Sequence, residues 1–355
     1  MHVNTERGFS GGEVQVFLLL EGLRARGVPQ LLVVPPGSES ARIGRERGFD
    51  VLELGLRHPF DLPSVMRLSR RLRGASLAHL HTGRAAWLGS LAARLAGCPT
   101  VITRRMERRV RRGLRTRFCY VSTARAVIAI APAVVRCLVD GGVPAARIVT
   151  IPDALDPQRL VLVRGRAAMR AELGVPADRF LVLAVAQLMH RKGIDVLLRA
   201  VAQLRDPRLV CAVAGDGPER SALGALATEL SLGDAVRFLG RRVDIGDLLA
   251  ACDLFVLPSR AEGLGVAALE ALGAARPVVA SRVGGLAELM ADGAHGLLVP
   301  PDDPAALGQA IGRMRDEPDM RERFAAGGPA RVDQGFRSDQ YVDRHLDVYR
   351  SIVAR

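Results

Sequence analysis

The chain has 355 residues, 49% of them hydrophobic, and a formal net charge of +13. That length exceeds one ordinary α/β core and suits two, and evenly spread Gly and Pro exclude a disordered chain. Five cysteines (Cys98, Cys119, Cys137, Cys211, Cys252), odd in number and set in apolar runs, exclude a disulfide framework or a zinc site and point to a reducing compartment. The amino-terminal stretch lacks the charged-then-apolar pattern of a secretory leader, and the longest uncharged apolar run, residues 126–135, is about half of what spans a bilayer.

In chain order, His2-Val3-Asn4 reads as a short first strand, followed by the Gly-rich turn Gly8-Phe-Ser-Gly-Gly-Glu13 that opens a helix at Glu13. Strands are expected at 31–34, 51–54, 77–80, 100–103 and 127–130. Residues 103–118 carry eight arginines against one glutamate, about half of the chain's excess charge, and are read as a helix from about Met106. Two prolines at 151–157 mark the boundary. The second half alternates clearly, with strands at 180–188, 209–214, 236–239, 254–258, 277–280 and 296–299. Helices fall between them at 194–204, 219–230, 245–251, 266–273 and 286–290. Such alternation demands a parallel sheet covered on both faces. Gly327-Gly328-Pro329 and Gly335 are read as a break before a last amphipathic helix near 338–353, which is expected to cross back to the first domain. The expected segments are 1–156, 157–337 and 338–355.

Ligands of parallel sheets bind beyond the carboxyl ends of the strands, and four patches fall there. At Gly11 and Gly12 the backbone can approach a phosphate, and the helix amino end favours negative charge. Gln187-Leu-Met-His-Arg191-Lys192-Gly193 follows a strand and contains the single lysine of the chain, Lys192; a compact ammonium beside Arg191 suits a diphosphate. Gly215-Asp-Gly-Pro218 reads as a turn. The strongest patch is Glu262-Gly263-Leu264-Gly265-Val266 with Glu270, two carboxylates around a strand-to-helix turn. A phosphate can sit on the amides of that turn, while the carboxylates accept from vicinal hydroxyls. His81, at the end of the strand 77–80, is a further candidate on the acceptor side.

These motifs resemble the retaining GT-B glycosyltransferases of the group 1, family 4 type. The family's Glu, seven residues, Glu signature is seen as Glu262 and Glu270. Around it stand Val213-Ala-Gly-Asp-Gly-Pro218, Val236-Arg-Phe-Leu-Gly240, Phe255-Val-Leu-Pro-Ser259, Arg276-Pro-Val-Val-Ala280, Ser281-Arg-Val-Gly-Gly285 and Gly296-Leu-Leu-Val-Pro300. The resemblance covers nearly the whole chain and is densest from about Leu181 to Gln309. It implies a GT-B fold, two doubly wound Rossmann-like domains facing across a cleft. It also implies sugar transfer from a nucleotide-diphosphate donor, a UDP-sugar favoured, to an acceptor such as a lipid-linked or lipopolysaccharide-type glycan. Lys192 would neutralise the leaving diphosphate. Glu262 and the amides of Gly263, Leu264, Gly265 and Val266 would meet sugar and phosphate, Glu270 the ribose, Gly11 and Gly12 the donor phosphate side, and Arg241 the base. The chain departs from the family at Gln187 (usually Arg), at Arg104-Arg105 (usually His), at Ala131 (usually Ser) and at Asp153-Ala154 (usually Asn-Gly).

No Asp-x-Asp pair follows an apolar strand, so neither metal nor other cofactor is expected. Two rivals remain: a GT-B sugar-nucleotide epimerase, and a basic protein binding anionic membrane or nucleic acid. The segment Arg104 to Arg117 lacks the interleaved aromatics of a single-strand platform, so no nucleic acid is expected; an anionic membrane surface is. The expected location is cytoplasmic, peripheral on the inner membrane face.

Overall fold

A computed structural model describes residues 1–56 and 58–354; Arg57 and Arg355, at which the expected segments 1–156 and 338–355 are incomplete, lie outside the described residues. The chain forms two compact units, Met1–Asp153 with Ser338–Arg355, and Ala154–Arg337.

The first unit holds strands β1 (His2–Val3), β2 (Leu32–Val34), β3 (Val51–Glu53), β4 (Ala78–Leu80), β5 (Thr100–Arg104), β6 (Ala124–Ala129) and β7 (Ile148–Thr150). They form one parallel sheet in the order β3-β2-β1-β4-β5-β6-β7. Strand β7 was not anticipated. It is a half-exposed edge strand, so no apolar run announces it. The helix Ser338–Val353 packs on the helix Gly11–Ala25: Asp343 pairs with Arg26 at 2.7 Å, and Tyr341 donates to the Gln15 carbonyl.

The second unit holds β8 (Phe180–Val185), β9 (Leu209–Ala214), β10 (Val236–Gly240), β11 (Leu254–Leu257), β12 (Val278–Ser281) and β13 (Gly296–Val299), again parallel, in the order β10-β9-β8-β11-β12-β13. The central strands are buried on both faces and read as apolar runs, which is what a sheet covered on both sides requires. In both units the order reverses beside the first strand, between β1 and β4 and between β8 and β11. There adjacent loops diverge and leave a crevice.

Two expectations are corrected. Residues 327–329 do not break the chain; they lie inside the helix Pro318–Asp333. The glycine serves a close approach: a Cβ on Gly328 would stand 2.4 Å from the Leu272 carbonyl oxygen, so only glycine lets the two helices meet. Pro329 costs one backbone bond, which the packed helix tolerates. The arginine segment is not a helix from Met106 either. Residues 105–112 have no regular structure, and only Leu114–Thr116 and a π-helical turn, Arg117–Thr123, are helical. Like charges four positions apart (Arg104 and Arg108, Arg108 and Arg112, Arg111 and Arg115) oppose a helix there. Side chains take over the backbone bonding instead, Arg104 donating to the Arg108 carbonyl and Thr116 to that of Arg111.

Candidate functional site

In the second unit Arg191, Lys192 and Glu262 meet at the β8/β11 reversal. After β8 the chain makes the short turn His190–Lys192, and Gly193 follows at φ +63. A Cβ there would stand 2.0 Å from the Pro258 carbonyl oxygen, so the turn after β8 lies directly on the loop after β11. The Arg260 amide donates to the Arg191 carbonyl at 2.8 Å, and the Arg260 guanidinium grips Asp195 and Asp302. Burial alone would raise the Asp195 carboxyl; Arg260 and Arg199 hold it below the ordinary range. This strapping fixes the two loops against each other.

Lys192 and Glu262 stand at that junction. The Lys192 ammonium pairs with the largely buried Glu262 carboxylate, and the Ser259 hydroxyl donates to the same oxygen at 2.8 Å. An ammonium has three donors and Glu262 takes one, so Lys192 retains capacity for a phosphate. Beyond Glu262, the Gly285 amide donates to the Gly263 carbonyl, Leu264 is buried, and Gly265 at φ +91 caps the helix Val266–Gly273. The first amides of that helix have no partner within it.

Glu270, one turn into the helix, is buried and pairs with Arg159. Burial pushes its carboxyl up while Arg159 pulls it back down. Arg159 was missed by sequence reasoning because it lies 111 residues away, with only the preceding Asp156-Pro157 turn as a local signal. Arg191 rests its Nε on the Met189 sulfur at 3.1 Å. Arg241 is exposed directly after β10.

In the first unit, Gly11 and Gly12 are the first residues of the helix Gly11–Ala25. Glu13 accepts from the Ser10 amide at 2.8 Å and from Asn4 at 3.1 Å, which fixes the turn. Arg105 lies alongside: a Cβ on Gly12 would be 3.8 Å from its Cδ. The Arg105 guanidinium donates to Asp153 (3.2 Å) and to the Tyr341 hydroxyl (3.2 Å), and faces His81 Nδ1 at 3.5 Å. Thus the two departures at Arg105 and Asp153 are partners of each other. Burial acts against the Arg105 charge, but Asp153 and Tyr341 outweigh it and leave the guanidinium more firmly protonated than usual. Burial raises Asp153.

His81 is 5% exposed and belongs to a buried network rather than to an open surface. Its Nε2 is 3.0 Å from His2 Nδ1; His79 bonds the Tyr349 hydroxyl (2.5 Å) and Thr103 (2.6 Å). His345, on the terminal helix, bonds the Tyr341 carbonyl at 2.8 Å. Burial holds His2, His79 and His81 well below the ordinary imidazole value, and His345 falls to about 3. His2, His79 and His81 are the one group among the described residues whose ligand-type atoms gather closely enough for an ion. The nitrogens of His79 and His81 are already engaged within the protein, and the Arg105 charge is a poor neighbour for a second cation.

Two parallel-sheet α/β units, each with its strand order reversing beside the first strand, define a chain of the GT-B architecture. Residues 9–159 match the family described as Glycosyltransferase Family 4, and residues 165–331 that described as Glycosyl transferases group 1. The chain belongs to the group 1 glycosyltransferases. It is 39% identical over 186 residues to the lipopolysaccharide core biosynthesis glycosyltransferase LpsD of Rhizobium meliloti (strain 1021), covering 52% of this chain and 54% of that one. It is 39% identical over 205 residues to the D-inositol 3-phosphate glycosyltransferase of Streptomyces griseus, covering 54% and 43%. The matches thus span about half the length of these curated relatives. The fold is similar to that of Anabaena HepE, crystallised in complex with UDP and glucose: TM-score 0.89, 24% identity, covering 99% of this chain and 98% of that one.

Proposed function

We propose that this protein transfers a sugar from a nucleotide-diphosphate donor, with UDP as the nucleotide, to a lipid-linked or lipopolysaccharide-type glycan, with retention of anomeric configuration. The observation that carries the reading is the Lys192–Glu262 pair at the β8/β11 reversal, a cation and a hydroxyl acceptor held side by side above a helix amino terminus. Lys192 and the helix amides meet the diphosphate, Glu262 the donor sugar and Glu270 the ribose, with Arg191 and Arg241 as flanking cations. The acceptor hydroxyl attacks the anomeric carbon on the face from which the diphosphate leaves. The carbon–oxygen bond to phosphate breaks, and the departing phosphate oxygen takes the hydroxyl proton. Charge grows on the leaving group in that step, so Lys192 matters most there. No side chain acts as a covalent nucleophile, and no metal is required. The UDP and glucose bound to HepE support the donor, and the lipopolysaccharide core biosynthesis of LpsD supports the acceptor class.

In this reading the enzyme works in the cytoplasm against the inner membrane face. None of the helices among the described residues is long and apolar enough to cross a membrane. The test is to incubate the protein with a panel of sugar nucleotides and lipopolysaccharide-core acceptors, with and without a strong chelator, and to read the product linkage by NMR. An α-linked product from an α-linked UDP-sugar, formed equally with chelator, is expected. An inverted linkage sinks the retaining step, chelator sensitivity sinks the metal-free one, and a C2-epimerised sugar nucleotide without acceptor identifies an epimerase.

A further inference from the structure

The corrected course of the arginine segment creates a feature that sugar transfer from a nucleotide donor does not explain. Within the first unit a concavity of about 1310 Å³ is lined by Arg104, Arg108, Arg109, Arg111, Arg112 and Arg115, against a single lining carboxylate, Asp140. It lies beyond the carboxyl end of β5, whose last residue is Arg104, and reaches Gly83, the first residue of the helix Gly83–Ala96 that follows β4. That is the side on which open α/β sheets hold ligands.

Arginine-rich composition alone does not produce such a wall. Several arginines elsewhere in the chain find carboxylates: Arg42 meets Glu39 and Glu46, Arg164 meets Glu172 and Asp244, Arg315 meets Asp206 and Asp316. None of the six lining arginines has an ion pair with a carboxylate among the described residues, and the Nε of Arg104 is buried without a hydrogen-bond partner. Gathering like charges in a concavity raises the energy of the protein by itself and concentrates a positive field, which a multivalent anion relieves.

The wall is also built. Val110 is buried so closely under Gly141 that a Cβ there would stand 2.6 Å away. Arg112 Nε donates to the Asp140 carbonyl at 2.9 Å, and Arg115 lies 5.1 Å over the ring of Trp87. An irregular segment pinned at these points presents its guanidinium groups inward around one volume. A loose stripe meeting a flat surface would spread them.

We infer that this concavity binds the acceptor by its negative groups, and that the acceptor is a glycan carrying two or more phosphate or carboxylate groups. The inference deepens the transfer proposed above and rests on it for the word acceptor; the binding site itself does not. The volume exceeds what one phosphate fills, and planar guanidinium forks match phosphate and carboxylate oxygens in pairs.

The test uses the full chain and calorimetric titration with a hexosamine disaccharide phosphorylated at both ends, compared with the same disaccharide without phosphates. Binding of the bisphosphate only, falling steeply with added salt, is expected. The combined variant Arg108→Gln, Arg109→Gln, Arg111→Gln should weaken it about a hundredfold or more while leaving UDP binding unchanged. Equal affinity for both disaccharides, or bisphosphate binding insensitive to salt, overturns the proposal without reference to any variant. So does binding confined to phosphatidylcholine vesicles containing phosphatidylglycerol, which would make the segment a membrane contact. UDP titrated separately reports on the donor reading alone: its failure removes UDP as the donor nucleotide and leaves the anion site standing.

Discussion

The two units carry the same sheet reversal and fill it with opposite chemistry. At β8/β11 each buried carboxylate has its own cation, Glu262 with Lys192 and Glu270 with Arg159. Around β1/β4 stand uncharged imidazoles and tyrosines tied to one buried ion pair, Arg105 with Asp153. A paired charge can exchange its partner for a phosphate or a sugar hydroxyl at small cost, because ligand replaces protein as the counter-charge. A neutral imidazole network does not offer that exchange. It fixes positions, here those of Arg105, of the first strand and of the terminal helix. The comparison therefore separates a strand reversal arranged to meet charge from one arranged to hold it in place.

Acid should break the comparison most strongly. His2, His79, His81 and His345 have folded values below the ordinary 6.5, so the unfolded chain takes up protons first. Their penalty is absent above about pH 6.5 and grows as pH falls below it, by about 1.4 kcal/mol per pH unit for each histidine that stays neutral. Asp153, raised by burial, shifts the balance the other way, one group against four. In the second unit Asp195, Asp206, Asp244 and Asp247 are depressed, so their stabilisation persists until pH falls below about 3.8. Hydrogen exchange read by mass spectrometry between pH 7 and 5 should show the first unit, terminal helix included, opening before the second. Simultaneous opening would mean that the histidine network does not set the first unit's stability.

The next effect concerns Lys192. Lys192→Ala should lower kcat by about 10²–10³, as loss of one preorganised donor to a developing charge does, with a smaller change in UDP affinity. Intact turnover at saturating donor would show that the cation acts in binding only.

Glu270→Ala is expected to have the smallest effect of the three. Losing the ribose partner should weaken UDP binding by about 1.5–3 kcal/mol. Because the change also strands Arg159, Glu270→Gln serves as the second variant, keeping the volume and one acceptor. If calorimetry finds UDP affinity unchanged in both, Glu270 only anchors Arg159 and the two pairs are not alike.

The sequence alone determined the parallel α/β class and every strand of the second unit to within a few residues, and it singled out Lys192 and Glu262, which the structure pairs. These features are short-range: a strand, its loop and the next helix lie together in the chain, and the buried strands announce themselves as apolar runs. The ends of 180–188 and 219–230 were read too long because apolar loop residues such as Leu188 and Leu230 pack without joining the element. Only the tertiary structure decided the rest. Arg105 meets Tyr341 across 236 residues and His79 meets Tyr349 across 270, so no local pattern signals either contact. Gly328 looked like a helix break because propensity counts its flexibility, whereas its place is set by the Leu272 backbone lying against it. The arginines of 104–117 were visible as charge, but charge has no period that tells a solvated helix from a pinned wall. Val110 under Gly141 and the bonds from Arg104, Arg112 and Thr116 made that choice, since packing can hold like charges together where local preference would part them.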